Sequence, residues 1–301
     1  RYVLIYNGEI YNYLEIKKKL NFQHRLLETN SDTAIILEAI TQWGLEKSLQ
    51  IFNGMFAFSL WDKVQKKLFL VRDRLGIKPL FWYFNKNDFA FASELKPLKV
   101  LPWIKFDLDY ESISSFVRLN YIPNPHSIFK KISKIEPGTF LVINQTGKIN
   151  IREYWSLKRV IINQNKKKSF VNEELIENDL DFSVKTQMRS DVPLGVFLSG
   201  GIDSSLIACL AQKNSKKKIQ TFTIGFNDTE FDEAIYAKKI ANALSTCHHE
   251  EYFEYSILKN LINSLGTIYD EPFADSSQLP TLLLSQITKK KVKVALSGDG
   301  G

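Results

Sequence analysis

Apolar and polar positions along this chain follow two rhythms, and the change falls between residues 156 and 172. Before it, short runs rich in aromatic and β-branched residues recur: Tyr2–Tyr6, Met55–Trp61, Lys67–Arg72, Leu80–Tyr83, Phe89–Ser93, Thr139–Ile143 and Ile149–Tyr154. Asn, Asp, Gly and Lys punctuate them, which predicts strands of antiparallel character. Two helices are predicted among them, over 13–20 and 32–43. The second carries Ile35, Ile36, Ala39 and Ile40 on one side and Ser31-Asp32 as its cap. Residues 156–172 are basic, Asn-rich and without period, and read as a linker. Beyond it, strands at Val192–Leu198, Ile219–Phe226, His248–Phe253 and Val292–Leu296 alternate with helices over 173–189, 203–213, 232–245, 255–268 and 278–289. That alternation predicts a doubly wound parallel sheet.

The richest stretch is Val192 to Ser205, VPLGVFLSGGIDSS. An apolar run belongs to a strand buried on both faces, and ligands of parallel sheets bind at the strands' carboxyl ends. Gly200 and Gly201 let backbone N–H groups approach an anion, and Ser199, Ser204 and Ser205 offer hydroxyls. The following helix, with Leu206, Ile207, Leu210 and Ala211 predicted on its inner face, points its positive end at the loop. Asp203 is a carboxylate in an anion site, which makes sense if it holds Mg²⁺ bridging to phosphate oxygens. An ordinary capped strand-to-helix turn is the bland reading, and the whole SGGIDSS string is too specific for it. Neither GxxxxGK[ST] nor GxGxxG occurs, so no P-loop or dinucleotide fingerprint competes.

Composition adds bounds. With 44% hydrophobic and 24% charged residues the chain reads as soluble and globular, and no apolar run reaches a membrane span or forms a signal peptide. Two cysteines, Cys209 and Cys247, make no disulfide framework and suit a reducing cytoplasm. Cys209 is expected in the core. Cys247 beside His248-His249 lacks a partner pair at metal-ligand spacing. The net charge of +7 comes largely from lysine triplets at 17–19, 166–168, 216–218 and 289–291. They read as solvated surface, so neither nucleic acid nor a membrane is expected as a partner. The chain opens inside an apparent strand and stops after another, which reads as an internal piece of a longer protein.

SGGxDS resembles the pyrophosphate-binding loop of ATP pyrophosphatases, which make adenylates. The region before it is similar to the glutaminase half of the glutamine-hydrolysing asparagine synthetases. Other motifs characteristic of that family follow in its order: Asn7-Gly8-Glu9, Ser31-Asp32, Phe52-Asn53-Gly54-Met55-Phe56-Ala57-Phe58, Arg72-Asp73-Arg74-Leu75-Gly76-Ile77-Lys78-Pro79, Ala92-Ser93-Glu94 and Ser297-Gly298-Asp299. The resemblance covers nearly the whole chain. It implies a class II glutaminase domain over 1–155, an αββα sandwich of the N-terminal-nucleophile type, then a linker over 156–172. An ATP-pyrophosphatase domain over 173–301 follows, so the fold class is α/β plus α+β.

By the same resemblance, the Asn7 amide and the Gly8 N–H form an oxyanion hole, and Glu9 and Asp32 bind glutamine's α-amino group. Read alone, Asn7-Gly8 is a hairpin turn and Ser31-Asp32 a helix cap. ATP is expected at Leu198, Ser199, Gly200, Gly201, Asp203, Ser204, Ile224, Ser297 and Gly298, with Mg²⁺ on Asp203 and with Asp299 tied to adenylate formation. Arg72 and Asp73 read as a paired structural set. Asp270-Glu271-Pro272 and Asp275-Ser276-Ser277 are placed beside the acceptor pocket. The family's N-terminal cysteine nucleophile, its carboxylate-binding arginine and most acceptor-binding residues are expected outside this chain. The implied reaction hydrolyses glutamine, passes ammonia internally and amidates aspartate through an adenylate, releasing AMP and pyrophosphate; a homodimer is compatible with it. Another carboxylate acceptor, such as a sugar acid or a β-lactam precursor, and a non-catalytic ATP-binding protein are the alternatives.

Overall fold

The computed structural model describes residues 1–21, 31–86, 88–165, 172–227, 232–254 and 256–299. Asn30, the lysines at 166–168, Phe231 and the terminal Gly300-Gly301 lie outside them. Two compact units divide the chain: residues 1–169 with Tyr269–Phe273, and residues 170–268 with 274–301. Among the described residues no helix is long and apolar enough to cross a membrane.

The first unit is built from β1 (Tyr2–Ile10), α1 (Tyr13–Lys19), α2 (Asp32–Trp43), α3 (Leu45–Ile51), β2 (Gly54–Asp62), β3 (Lys67–Arg72), β4 (Phe81–Asn85), β5 (Asp88–Ala92), α4 (Leu95–Leu98), α5 (Tyr110–Leu119), β6 (Ile132–Lys134), β7 (Thr139–Asn144), β8 (Ile149–Glu153) and α6 (Leu157–Asn165). One sheet has the order β1-β2-β3-β7-β8 and another β5-β4-β6, with every pairing antiparallel. Period-two alternation assigns side chains to layers. On β2, Phe56, Phe58 and Leu60 join Ile35, Ile36, Ile40 and Leu49 in a core under α2 and α3. Ala57 of β2 faces the other way, in a core with Leu70, Leu141, Trp82, Phe84 and Phe91 between the sheets. On β4, Phe81 and Tyr83 turn outward to Leu95, Leu98 and Ile104. The layers are therefore helix, sheet, sheet, helix, as the sandwich expectation requires.

Three local expectations change. Residues 157–165, read as linker, form α6. Asn7-Gly8 is no hairpin turn but lies inside β1. Arg72 and Asp73 attract each other through space but make no direct ion pair. Both are almost wholly buried, and each spends its charge on backbone. The Asp73 carboxylate accepts from the N–H groups of Phe56 (3.2 Å), Leu75 (3.1 Å), Ile77 (3.0 Å) and Lys78 (2.9 Å). The Arg72 guanidinium donates to the carbonyls of Lys78 (2.9 Å), Ile135 (2.7 Å) and Gly76 (2.8 Å) and to Asn124 Oδ1 (3.1 Å). Buried charges persist only when hydrogen-bonded in this way. The loop after β3 is thus tied down from both its N–H and its C=O sides.

The second unit contains α7 (Glu173–Gln187), β9 (Leu194–Phe197), α8 (Ile202–Lys213), β10 (Gln220–Phe226), α9 (Ala234–Leu244), β11 (Cys247–Phe253), α10 (Ser256–Ile268), α11 (Gln278–Thr288) and β12 (Val294–Leu296). Its sheet order is β11-β10-β9-β12, with all pairings parallel. The order reverses between β9 and β12, the place where doubly wound sheets bind ligands. Small residues let the helices lie close: Ala208 and Ala211 of α8 and Ala237 and Ala241 of α9 pack with Val196 and Leu198. That choice rotates α8 from its expected phase. Ser204, Ala208, Leu210 and Ala211 are buried, whereas Leu206 is 40% exposed and Cys209, expected in the core, is on the surface.

Truncating Asp73 to Ala removes an acceptor from four N–H groups, and burying orphaned donors is expensive. Chemical denaturation of Asp73→Ala should show a loss on the order of 3 kcal/mol or more, with Asp73→Asn between it and wild type.

Candidate functional site

Two places in the molecule gather the chemistry-bearing residues, one in each unit. The first is the outer edge of β1. Among the described strands, β2 alone pairs with β1, in the register Gly8↔Phe56 and Ile10↔Gly54. Both backbone groups of Phe56 are directed to the far side of β2: its carbonyl accepts from Asp73 N (2.7 Å) and its N–H donates to the Asp73 carboxylate. Antiparallel pairs alternate between bonded and non-bonded, so Gly8↔Phe56 is a non-bonded pair. The N–H of Gly8 therefore points to the open edge. Ile10 shares that parity, and its N–H leaves the sheet at the same edge to reach Asp32 Oδ2 at 3.0 Å.

Glycine is required at position 8. Its φ is +149°, and a Cβ there would stand 2.1 Å from the Met55 carbonyl oxygen and 2.6 Å from Phe56 Cα. The Asn7 side chain donates from Nδ2 to Ser93 Oγ at 3.3 Å. Glu9 lies on the same face of β1 as Asn7 by alternation. Asp32 is the first residue of α2, and its carboxylate does not cap that helix. It reaches β1 instead, where Tyr6 Oη donates to Oδ2 at 2.7 Å. The structure thus brings Gly8 N–H, the Asn7 amide and Asp32 to neighbouring positions of one strand. Positions 8 and 10 are about 7 Å apart along it, comparable with the length of a glutamine side chain. Tyr6 and Ser93 were not singled out as site residues from sequence, because their roles depend on partners far away in the chain.

The second place is a cavity of about 420 Å³ at the carboxyl end of β9, beside β12. Leu198, Ser199, Gly201, Asp203, Ser204, Ile224, Ser297, Gly298 and Asp299 all line it. Gly200 stands behind the loop with φ +87°, where a Cβ would be 2.7 Å from Tyr236 Cβ and 2.8 Å from Ala237 N. The start of α9 therefore presses the loop into place. Gly298 does the same for the second loop: its Cβ position is 2.7 Å from Ser204 N. Glycine at 298 is what lets the loop after β12 touch the first turn of α8.

The serines mostly hold the loop itself. Ser204 Oγ accepts from Ser199 N (3.2 Å), and Ser205 Oγ donates to Gly201 O (2.6 Å). Ser297 Oγ accepts from Asp299 N at 3.3 Å. Sequence reasoning missed Thr223, Phe226, Glu233, Pro280 and Thr281 as walls of the cavity. Position alone hinted at them, through the end of β10 and the starts of α9 and α11. Ser277 also lines the cavity, where Asp275 holds it through its N–H and hydroxyl at 2.9 Å. Asp270 and Glu271, expected beside an acceptor pocket, belong instead to the first unit. There Asp270 accepts from Leu95 N (2.7 Å), and Glu271 accepts from Ile128 N (2.8 Å) and pairs with Lys134.

Electrostatically the cavity is unusual for a polyphosphate site. Asp203, Glu233 and Asp299 line it, and among the described residues no lysine or arginine does. The positive end of α8 faces the cavity as a counter-charge. Among the described residues no group of three or more His, Cys, Asp or Glu could hold a metal alone. Asp203, which lines the cavity, carries the oxygen-ligand type that suits Mg²⁺. A larger groove of about 610 Å³ on the first unit, between Trp43 and Arg152, contains no residue of either motif set.

An antiparallel sandwich with an N–H-bearing open edge and a parallel sheet with a glycine-loop cavity define a protein of two different domains. Residues 1–155 match the family described as glutamine amidotransferase domain, and residues 175–301 the family described as asparagine synthase. The chain belongs to the glutamine amidotransferase family, in the group that joins this domain to an asparagine synthase domain. It is 40% identical, over 99% of its length, to the protein of Methanocaldococcus jannaschii named "Putative asparagine synthetase (glutamine-hydrolyzing) 2", of which it covers 57%. It is 34% identical over 99% of its length to asparagine synthetase (glutamine-hydrolyzing) 1 of Bacillus subtilis, covering 46% of it. To the mouse asparagine synthetase (glutamine-hydrolyzing) it is 31% identical over 83% of its length, covering 44%. The chain thus spans about half the length of these relatives.

Gly298→Ala should displace the second loop from Ser204. Calorimetric titration with MgATP should show affinity lowered at least about tenfold, on the order of the strain such a clash stores. Gly266→Ala, where a Cβ meets nothing within 4 Å, should bind as wild type.

Proposed function

We propose that the full-length protein hydrolyses glutamine and uses the nitrogen to convert aspartate to asparagine, spending ATP to AMP and pyrophosphate. The observation that carries this reading is the cavity in which the SGGIDSS loop, with Asp203, meets Ser297, Gly298 and Asp299 of the loop after β12. A site for γ-phosphoryl transfer places a lysine on the β- and γ-phosphates. Here the N-terminal end of α8 faces the cavity, and the proposed leaving group is a whole pyrophosphate. The names of the relatives, and the amidotransferase family of residues 1–155, support glutamine as nitrogen donor and aspartate as acceptor.

At the first site, the nucleophile attacks the side-chain amide carbon of glutamine, and negative charge grows on the carbonyl oxygen. The Gly8 N–H and the Asn7 amide donate to that oxygen, a stabilisation fixed in place before the reaction. Asp32 and Glu9 receive the α-ammonium, so the substrate lies along β1 with its amide at Gly8. Collapse of the tetrahedral species releases ammonia, and water frees glutamate.

At the second site, the side-chain carboxylate of aspartate attacks the α-phosphorus of ATP. The bond to the β-phosphate oxygen breaks, and pyrophosphate leaves toward the first turn of α8. Ammonia then attacks the acyl carbon, AMP leaves, and asparagine remains. Ser297 and Gly298 hold the nucleotide from the other side, and Asp299 faces the reacting carboxylate and phosphate. Mg²⁺, held by Asp203 and phosphate oxygens, would supply charge neutralisation to the departing pyrophosphate.

The assay gives full-length protein MgATP and glutamine and measures AMP release with and without aspartate. Release should depend on aspartate, and equal release without it would overturn this acceptor. Asp203→Asn should slow pyrophosphate release on the order of a hundredfold; a normal rate would remove Asp203 from the mechanism.

A further inference from the structure

We propose that Tyr6 is a positioning residue for glutamine, its hydroxyl setting the Asp32 carboxylate that receives the substrate's α-ammonium. This rests on the role given to Asp32 above and adds the device that orients it. Tyr6 Oη donates to Asp32 Oδ2 at 2.7 Å, and Ile10 N–H donates to the same oxygen at 3.0 Å. Two donors on one oxygen fix the carboxylate at two points. Among the described residues the other oxygen has only the Thr33 hydroxyl, at 3.4 Å, which leaves it for an ammonium group.

The Tyr6 ring is packed against the core under α2, so its hydroxyl has little freedom to turn elsewhere. Burial first, and the Asp32 hydrogen bond and charge after it, push the phenol far above its ordinary pKa. The hydroxyl therefore keeps its proton, and its donor role, at any working pH. Alternation puts Tyr6, Gly8 and Ile10 at the same parity of β1. One strand thus supplies the oxyanion donor at Gly8 and, two residues to either side, both groups that fix the ammonium-binding carboxylate. The distance between the two recognition points is set by the rise of a single strand, which makes the site a ruler for the length of the amide substrate.

The competing role for this bond is to tie α2 to β1, and the test separates the two. Steady-state glutaminase kinetics of the full-length protein are measured with L-glutamine and with glutaramate, the same amide without the α-amino group. Tyr6→Phe should lower kcat/KM for glutamine about tenfold, mainly through KM, as expected for loss of a hydrogen bond to a charged group. With glutaramate the change should be small. Asp32→Asn should abolish the preference for glutamine over glutaramate, and the double variant should lose no more than Asp32→Asn alone. If Asp32→Asn keeps the preference, the role of Asp32 is wrong. If Asp32→Asn loses it but Tyr6→Phe affects both amides equally, or neither, Tyr6 only ties α2 to β1 and the proposal is overturned. Thermal melting of each variant separates a folding defect from either result.

Discussion

Backbone N–H groups that secondary structure leaves without a partner are what both candidate sites are built from. In the first unit they are a matter of ladder phase. Asp73 holds Phe56 on the far side of β2 through main chain and side chain together. That fixes which residues of β1 bond inward and which bond outward. Had the phase been opposite, Asn7 and Glu9 would present their N–H groups at the edge, and Gly8 would be spent on the ladder. The buried Arg72-Asp73 loop, far from β1 in sequence, is therefore what aims Gly8 outward. In the second unit they belong to the first turn of α8; glycine at 200 lets α9 press on the loop before that turn, and glycine at 298 brings the second loop against it.

Charge follows from this arrangement. An edge N–H and a helix end are partial positive charges that cannot titrate and need no side chain to reach them. On the proposed function, carboxylates can then stand at both sites, Asp32 in one unit and Asp203 in the other, without loss of attraction for a developing oxyanion or a polyphosphate. In the function proposed above, the carboxylate of each site addresses a positive partner of the substrate: an ammonium group in one, a divalent cation in the other. The same residue types serve opposite ends of their substrates because the backbone handles the anionic end.

Much of this was readable from residue pattern. Long periodic elements such as α2, α8 and β3 appear where expected, because their apolar spacing has one solution. The strands of the second unit and the loops at 199–203 and 297–299 also fall as the glycine placement suggested, since only glycine tolerates those approaches. What pattern missed depends on contacts between distant residues. Asp32 looked like a cap because the local rule for an acidic residue at a helix start is strong; its bond to Tyr6, 26 positions away, overrides that rule. Asn7-Gly8 looked like a turn, but the glycine is needed for close approach to β2. Cys209 and Leu206 came out exposed because alanines, not the larger residues, form the tightest face of α8. The helix over 157–165, LKRVIINQN, was hidden because its Val and Ile residues are consecutive rather than at helical spacing. Asp270 and Glu271 carry the charge of site residues but anchor main-chain N–H groups of the first unit.

The central claim is that the second site activates a carboxylate by joining it to AMP, with pyrophosphate as the leaving group. Its most direct test follows oxygen atoms. Aspartate labelled with ¹⁸O in its side-chain carboxylate is turned over by the full-length protein with glutamine and MgATP, and the products are analysed by mass spectrometry. Attack on the α-phosphorus predicts one labelled oxygen in AMP and none in pyrophosphate. Label in inorganic phosphate, with ADP as the nucleotide product, would show attack at the γ-phosphorus and contradict the account.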